Sequence, residues 1–365
     1  MPPLSSVVVE AAARPHERGD ARLVADIGGS NARFGWVESA GAPPQWVQTL
    51  SVPDHAGPAE AARAYLDALA ARLGPAYRPP RRAAFAVATA VDGDHVRFTN
   101  SDWSFSREGV RHALALQEIT VVNDFEALAL SLPGLQPGQL RGHGELPAAA
   151  TAGPGAVLAV IGPGTGLGVG AVLRTPLGWQ ALPGEGGHAT LAAADALEAE
   201  VIAVLRRQFD HVSAERLLSG PGLPLLHAAL AEVQGHTTPA LERAEDVVAA
   251  ALDHGSAQAL VTLDLFCALL GSFAGNVALT LGSRAGLYVG GGIVPRFAER
   301  FFASAFRQRF EAKGRFRGYL AAVPTALITD TQCALLGAAM ALQDHDPSAG
   351  AGFNSPSPAR GSGQG

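Results

Sequence analysis

Apolar residues fall along this chain in two kinds of run. Short runs rich in β-branched residues at 23–26, 34–37, 83–91, 119–122, 157–161, 169–173 and 287–289 predict strands. Stretches at 58–73, 196–209, 256–282 and 300–310 follow a helical pattern and predict helices. Strands and helices that alternate in this way predict an α/β fold. The ends differ: residues 1–20 and 346–365 are rich in Ala, Pro, Gly and Ser without an apolar period, and are expected to be disordered.

Two of the predicted strand pairs resemble each other. VADIGGSNARFGWV at 24–37 and AVIGPGTGLGVGAVL at 159–173 each read as a strand, a Gly-rich tight turn and another strand. Such a repeat predicts two similar half-folds, and it also restricts the chemistry. A dinucleotide-binding fold needs its glycines between a strand and a helix, whereas the segment after Gly166, Gly168 and Ala171 reads as a strand. A P-loop is disfavoured as well, since neither turn is followed by Lys and Ser or Thr. The uncharged stretch 265–282 is long enough to raise the question of a membrane span, but Gly271, Ser272, Gly275, Asn276 and Thr280 interrupt it. It is read as a buried core helix with Gly271 and Gly275 as a close-packing face.

With 365 residues, 48% of them hydrophobic, the chain exceeds what one core accommodates, so two domains around a cleft are expected. The expected division is a small domain of 21–134 plus 327–343 and a large domain of 135–326. Lys and Arg number 27 against 33 Asp and Glu, a formal charge of −6, which offers no footprint for nucleic acid or an anionic membrane. Cys267 and Cys333 lie far apart and away from any metal-ligand spacing, so neither a disulfide framework nor a structural zinc site is indicated. No basic segment followed by a long apolar run opens the sequence, and the cytoplasm is the expected location.

The glycine turns carry the first candidate chemistry. In Asp26-Ile27-Gly28-Gly29-Ser30-Asn31, bare backbone N–H groups can form a nest for phosphate oxygens, and Asp26 can hold Mg²⁺ directly or through water. The alternative is an ordinary hairpin whose glycines permit positive φ. Gly162-Pro163-Gly164-Thr165-Gly166 offers the same N–H groups plus a hydroxyl, and two opposed turns can clamp the phosphates of a nucleoside triphosphate. A third cluster, Gly290-Gly291-Gly292, follows a predicted strand and would let a base and ribose approach the backbone.

Asn123-Asp124-Phe125 sits where a strand ends and a helix begins, a place where α/β sites collect. Asp124 can take a proton from an attacking hydroxyl there, or it can simply cap the helix. Pro183-Gly184-Glu185-Gly186-Gly187-His188 places an acceptor and a donor in a glycine loop suited to vicinal hydroxyls. Glu215 carries no signal of its own, since Ser213 and Arg216 around it could just start a helix.

Taken in order from 23 to 342, the segments DIGGSNAR, TNSDWSFS, VVNDF, GPGTGLG, LPGEGGH, HVSAERLLSGPGL, GGGIVPRF and EAKGRF resemble those of the bacterial glucokinases, within the hexokinase-like, actin-related ATPase superfamily. The resemblance implies two actin-like, ribonuclease H-like domains with an interdomain cleft, and Mg-ATP-dependent phosphorylation of glucose to glucose 6-phosphate. It makes Asp124 the base for the 6-hydroxyl and puts Asn123, Glu185, His188 and Glu215 around the sugar, with Asn100 and Asp102 supporting that side. Residues Ala25, Asp26, Ile27, Gly28, Gly29, Ser30 and Asn31 would meet the ATP phosphates from one domain. Gly162, Gly164, Thr165 and Gly166 would meet them from the other, with Gly291 and Gly292 near the nucleoside. Ser30 departs from the family's usual Thr but keeps the hydroxyl, and the Cys-rich zinc loop of the related repressor and open-reading-frame kinases is absent. The expected partners are glucose and ATP, with Mg²⁺ as cofactor and a homodimer as assembly. A kinase for another hexose or an amino sugar, and a sugar-sensing regulator without catalysis, are the rival readings.

Overall fold

The computed structural model describes residues 21–89, 91–98, 101–144, 146, 152–237 and 240–342. The ends expected to be disordered, and Asn100, lie outside them. The first sheet is built from β1 (Arg22–Ile27), β2 (Asn31–Val37), β3 (Gln45–Ser51) and β4 (Arg82–Val87). A separate hairpin follows, β5 (His95–Arg97) with β6 (Ser104–Ser106), before β7 (Glu118–Asn123) completes the sheet in the order β3-β2-β1-β4-β7. The second sheet comprises β8 (Leu140–Gly142), β9 (Val157–Pro163), β10 (Leu167–Thr175), β11 (Gly178–Leu182), β12 (Gly286–Val289) and β13 (Thr325–Ile328), in the order β11-β10-β9-β12-β13-β8.

Apart from β8, the two sheets are copies. In each, an antiparallel three-stranded meander (β1-β2-β3, β9-β10-β11) is followed by two strands added in parallel beside its first member. The faint sequence repeat is therefore a repeat of folds. The parallel strands are covered on both faces, which is why β4 and β12 read as unbroken apolar runs.

The helix Pro58–Leu73 covers one face of the first sheet and the helix Cys333–Ala341 covers the other. The long helix Ala257–Leu281 packs on the outer face of the second sheet, and the helix Asp124–Ser131 packs on its inner face. Asp124–Ser131 and Cys333–Ala341 thus lie between the sheets and against each other. Their crossing is tight enough that a methyl group on Gly337 would overlap the Ala127 carbonyl. These two helices follow equivalent strands, β7 and β13, and carry the chain between the halves.

Several sequence expectations shift. The crossing expected at 327 falls inside β13, which stays in the second sheet to Ile328. The predicted strand 83–91 ends at Val87, where the Ala88 amide turns to bond the Ile27 carbonyl. The predicted helix 300–310 is two helices, Ala298–Ala303 and Phe306–Glu311, because Ser304 is extended and its hydroxyl accepts from the Phe306 amide. The helix predicted over 196–209 stops at Leu205. The most apolar 18-residue window of the long helix has a mean hydropathy of 1.7, and 72% of that window is buried inside the protein, as a core helix requires. Gly271 and Gly275 face the carbonyls of Phe306 and Phe310 so closely that neither position has room for a side chain.

Candidate active site

The site begins where β7 passes into the helix Asp124–Ser131. Asn123 caps that helix: its Oδ1 accepts from the Phe125 amide at 2.9 Å, while its Nδ2 donates to the Thr89 carbonyl at 3.1 Å. Capping thus falls to Asn123, and Asp124 is the first helical residue, with Oδ1 also 2.9 Å from the Phe125 amide. A cavity of about 520 Å³ opens in front, walled by Asn123 and Asp124, by Gly162, Gly164, Thr165 and Gly166, by Glu185, His188 and Glu215, and by Gly291. A smaller chamber of about 320 Å³ shares Asn123 and Glu185 with it and adds Glu126.

Glu215 owes its place to the short helix Ala214–Leu217, which Ser213 caps by accepting from the Arg216 amide at 3.1 Å. The helix start suspected from sequence is real, and it presents the carboxylate to the cavity. Glu215 Oε2 accepts from the Leu167 amide at 2.9 Å, and Oε1 lies 3.8 Å from His188 Nδ1. Gly166 makes this possible, because a methyl there would overlap the Glu215 carboxylate. Glu185 and His188 belong to an exposed loop that ends in the short 3₁₀ turn Gly186–His188.

The first turn is built differently. Ala25 and Ile27 are fully buried in the core of the first half, so of these two only the main chain is available to a ligand. The Gly28 amide donates to the Asn31 carbonyl at 2.9 Å, closing the β1–β2 hairpin and leaving Ser30 and Asn31 exposed. Gly28 does not adopt positive φ, so backbone strain does not account for this glycine. Among the described residues, 25–31 and Gly292 lie outside the wall of the 520 Å³ cavity. Asp102 is exposed on the first half.

The carboxylates at the ends of β1 and β7 meet electrically. Burial pushes the Asp124 carboxyl up to about 6, the Phe125 amide opposes that rise, and the negative charge of Asp26 adds to it. Asp26 is itself raised by burial, opposed by Arg33, whose Nη1 lies 3.2 Å from Asp26 Oδ2 and 2.9 Å from the Thr331 carbonyl. Sequence reasoning quoted Arg33 within its motif without giving it a role, and it passed over Phe125 and Thr89 in the wall. The signal for Phe125 was available: glycines at every second position from 162 to 170 leave one face of a strand pair bare, and something must cover it.

Two copies of one α/β half, with a part-buried carboxylate where β7 meets its helix, have the actin-like ATPase fold shared by sugar kinases, and at 35% identity the chain is similar to one of those kinases. Comparison with known proteins narrows the class. A family model described as Glucokinase matches residues 23–345, and the chain belongs to that family. A glucokinase of Aromatoleum aromaticum is 50% identical over 323 residues, covering 88% of this chain and 95% of the relative. One from Paramagnetospirillum magneticum is 46% identical, covering 88% and 97%. The crystal structure of a glucokinase from an Antarctic psychrotroph superposes with a TM-score of 0.80 at 35% identity, over 88% of this chain and 98% of that one.

Proposed function

We propose that this chain is an ATP-dependent glucokinase that transfers the γ-phosphoryl group of ATP to the 6-oxygen of D-glucose. The observation that carries the reading is Asp124: a carboxylate at the N-terminus of a helix, in one cavity with the Thr165 glycine hairpin and within electrostatic reach of Asp26, with its proton affinity raised toward neutrality. A base works best when its pKa lies near the operating pH, because it must be ionised yet still accept a proton. In this role Asp124 takes the proton of the 6-hydroxyl as the oxygen bonds phosphorus, and ADP leaves with the electrons of the broken P–O bond.

The other residues bind and orient. Glu215 and His188 sit together in the wall of the cavity that Asp124 also lines, with Glu185 in the same wall, an acceptor and donor set suited to ring hydroxyls. The Thr165 hydroxyl and the exposed Ser30 offer donors to phosphate from opposite halves. Asp26 suits Mg²⁺, an ion commonly held by one or two carboxylates together with substrate phosphates, since burial outweighs the Arg33 guanidinium beside it and leaves its charge only partly compensated. When bound, that ion neutralises charge on the transferring phosphoryl group. His188 is 61% exposed in this conformation, so closing the halves over the sugar would bury it and exclude water as a competing nucleophile. Cytoplasmic location follows from the same reading, since ATP and glucose meet there.

The test is a coupled assay of glucose-dependent ADP formation on the wild type and Asp124→Ala. Turnover is expected to fall by roughly two to four orders of magnitude with glucose binding retained, the usual range for a positioned base. A variant that keeps a near-wild-type rate removes Asp124 from the role.

A further inference from the structure

We propose that Phe125 is the positioning residue of this site: its ring is a wedge seated on the bare glycine face of the β9–β10 hairpin, holding Asp124 in fixed relation to the Thr165 turn. The proposal rests on Asp124 being the base and says what keeps that base in place.

The seat is built by the absence of side chains. Gly162 and Gly168 are direct partners across β9 and β10, and Gly170 follows two positions on, so the three share a face of the sheet. A methyl group on Gly162 would lie 2.5 Å from the tip of the Phe125 ring, and one on Gly168 would overlap the ring itself. At Gly170 the obstacle is the Phe125 carbonyl, 2.8 Å away. Ring and main chain of one residue therefore fill the space above three glycines. Of these, Gly162 is also expected to meet phosphate through its main chain; its missing side chain makes room for Phe125.

The same residue is tied at its other end. The Phe125 amide donates to both Asn123 Oδ1 and Asp124 Oδ1, each at 2.9 Å. A short chain of contacts thus runs from the Asp124 carboxylate through the Phe125 amide and ring to the strands that flank the Thr165 turn. Asp26 stands on β1, in the sheet that ends with Asn123 on β7, so the wedge also joins that sheet to the hairpin.

The wedge also keeps water from one side of Asp124. The charged groups around that carboxylate are Asp26 with Arg33 from β1 and β2, and Glu185, His188 and Glu215 in the wall of the same cavity, while Glu126 on its own helix lines the adjoining chamber. Removing the ring leaves all of them in place, so a change in the proton affinity of Asp124 would report lost burial.

The experiment is steady-state kinetics across pH on full-length Phe125→Ala and Phe125→Leu. Phe125→Ala is expected to lose about 10²-fold in kcat, the scale set by an ångström of misplacement, while the KM for glucose changes less than about threefold. The acid limb of kcat/KM is expected to move down from about 6 toward the ordinary carboxylate range, with Phe125→Leu between the two. If kcat and the acid limb stay within twofold and a few tenths of a pH unit while Asp124→Ala is inactive, the wedge is wrong and the base stands. If Asp124→Ala is itself active, the underlying function is wrong. A swap covers the case in which Phe125→Ala folds poorly: Gly168→Ala should be insoluble or inactive, and adding Phe125→Leu or Phe125→Ala should recover soluble, glucose-binding protein. Failure of both double variants to recover would overturn the proposed seat.

Discussion

The two glycine hairpins are equivalent in the duplicated fold and only faintly alike in sequence, and they use their glycines for opposite ends. In the first, a methyl on Gly28 would meet only the Asn31 carbonyl, at an ordinary 3.7 Å, and the turn faces outward. In the second, Phe125 covers Gly162, Gly168 and Gly170, and Glu215 covers Gly166, leaving only Gly164 with open space at its α-carbon. One turn is left uncovered by the rest of the chain; the other is mostly a socket for the protein's own side chains. A glycine-rich turn says where something approaches the backbone, and the rest of the fold decides what.

The largest effect that could break this contrast is at Glu215, which the second turn is built around. Glu215→Ala strands the Leu167 amide and removes a carboxylate from the cavity, so stability should fall by about 1–3 kcal/mol. A fall of roughly 10²-fold in kcat/KM should accompany it, the scale at which a displaced positioning group acts. Glu215→Gln keeps an oxygen for Leu167 and should hold its unfolding midpoint within about 0.5 kcal/mol while the KM for glucose rises. Equal melting temperatures and equal kinetics for both variants would mean that Glu215 neither supports the turn nor meets the sugar.

Much of this was legible in the sequence because it depends on local pattern. The strand-turn-strand reading of both hairpins, the strand-to-helix position of Asp124 and the glycine face of the long helix all follow from spacing within a few residues. What escaped depends on contacts between distant segments. Glu215 meets Leu167 across 48 positions, and Arg33 meets Thr331 across 298, which no local period records. β3 escaped for another reason: it is an edge strand with mostly exposed residues, so it carries no apolar run. The helix 300–310 was overextended because apolar spacing continues through Ser304 although its hydroxyl caps a new start.

A mid-sized effect sharpens how the two turns communicate. The folded Asp124 carboxyl stands at about 6 against an ordinary 3.8, so the folded state holds the proton more tightly than the unfolded one. Stability is therefore lost as pH rises from about 4 through about 6, and it stays lost above that. Asp124→Asn removes the ionising group, so the variant should be more stable than the wild type near neutral pH, by an amount on the order of 1–3 kcal/mol. The advantage should vanish near pH 3, below both values. Urea unfolding of the two proteins across that range decides it; a variant less stable than wild type at neutral pH would show that burial does not burden the carboxylate.

The smallest effect is the most discriminating, because it falls on the one glycine of the second turn that its own protein leaves uncovered. Gly164 has open space at its α-carbon and does not adopt positive φ, so Gly164→Ala should cost no stability and could add about 0.4–1 kcal/mol by restricting the unfolded chain. Its carbonyl accepts from the Gly220 amide at 2.8 Å and its own amide donates to the Gly166 carbonyl, and neither bond involves the new methyl. Whatever the substitution perturbs must then come from outside the chain. If phosphate approaches this turn, the KM for ATP should rise several-fold with the glucose KM unchanged, as it should for the matching Gly28→Ala. Should Gly28→Ala raise the KM for ATP and Gly164→Ala leave it unmoved, the second turn would be a socket throughout, and the first alone would meet the nucleotide.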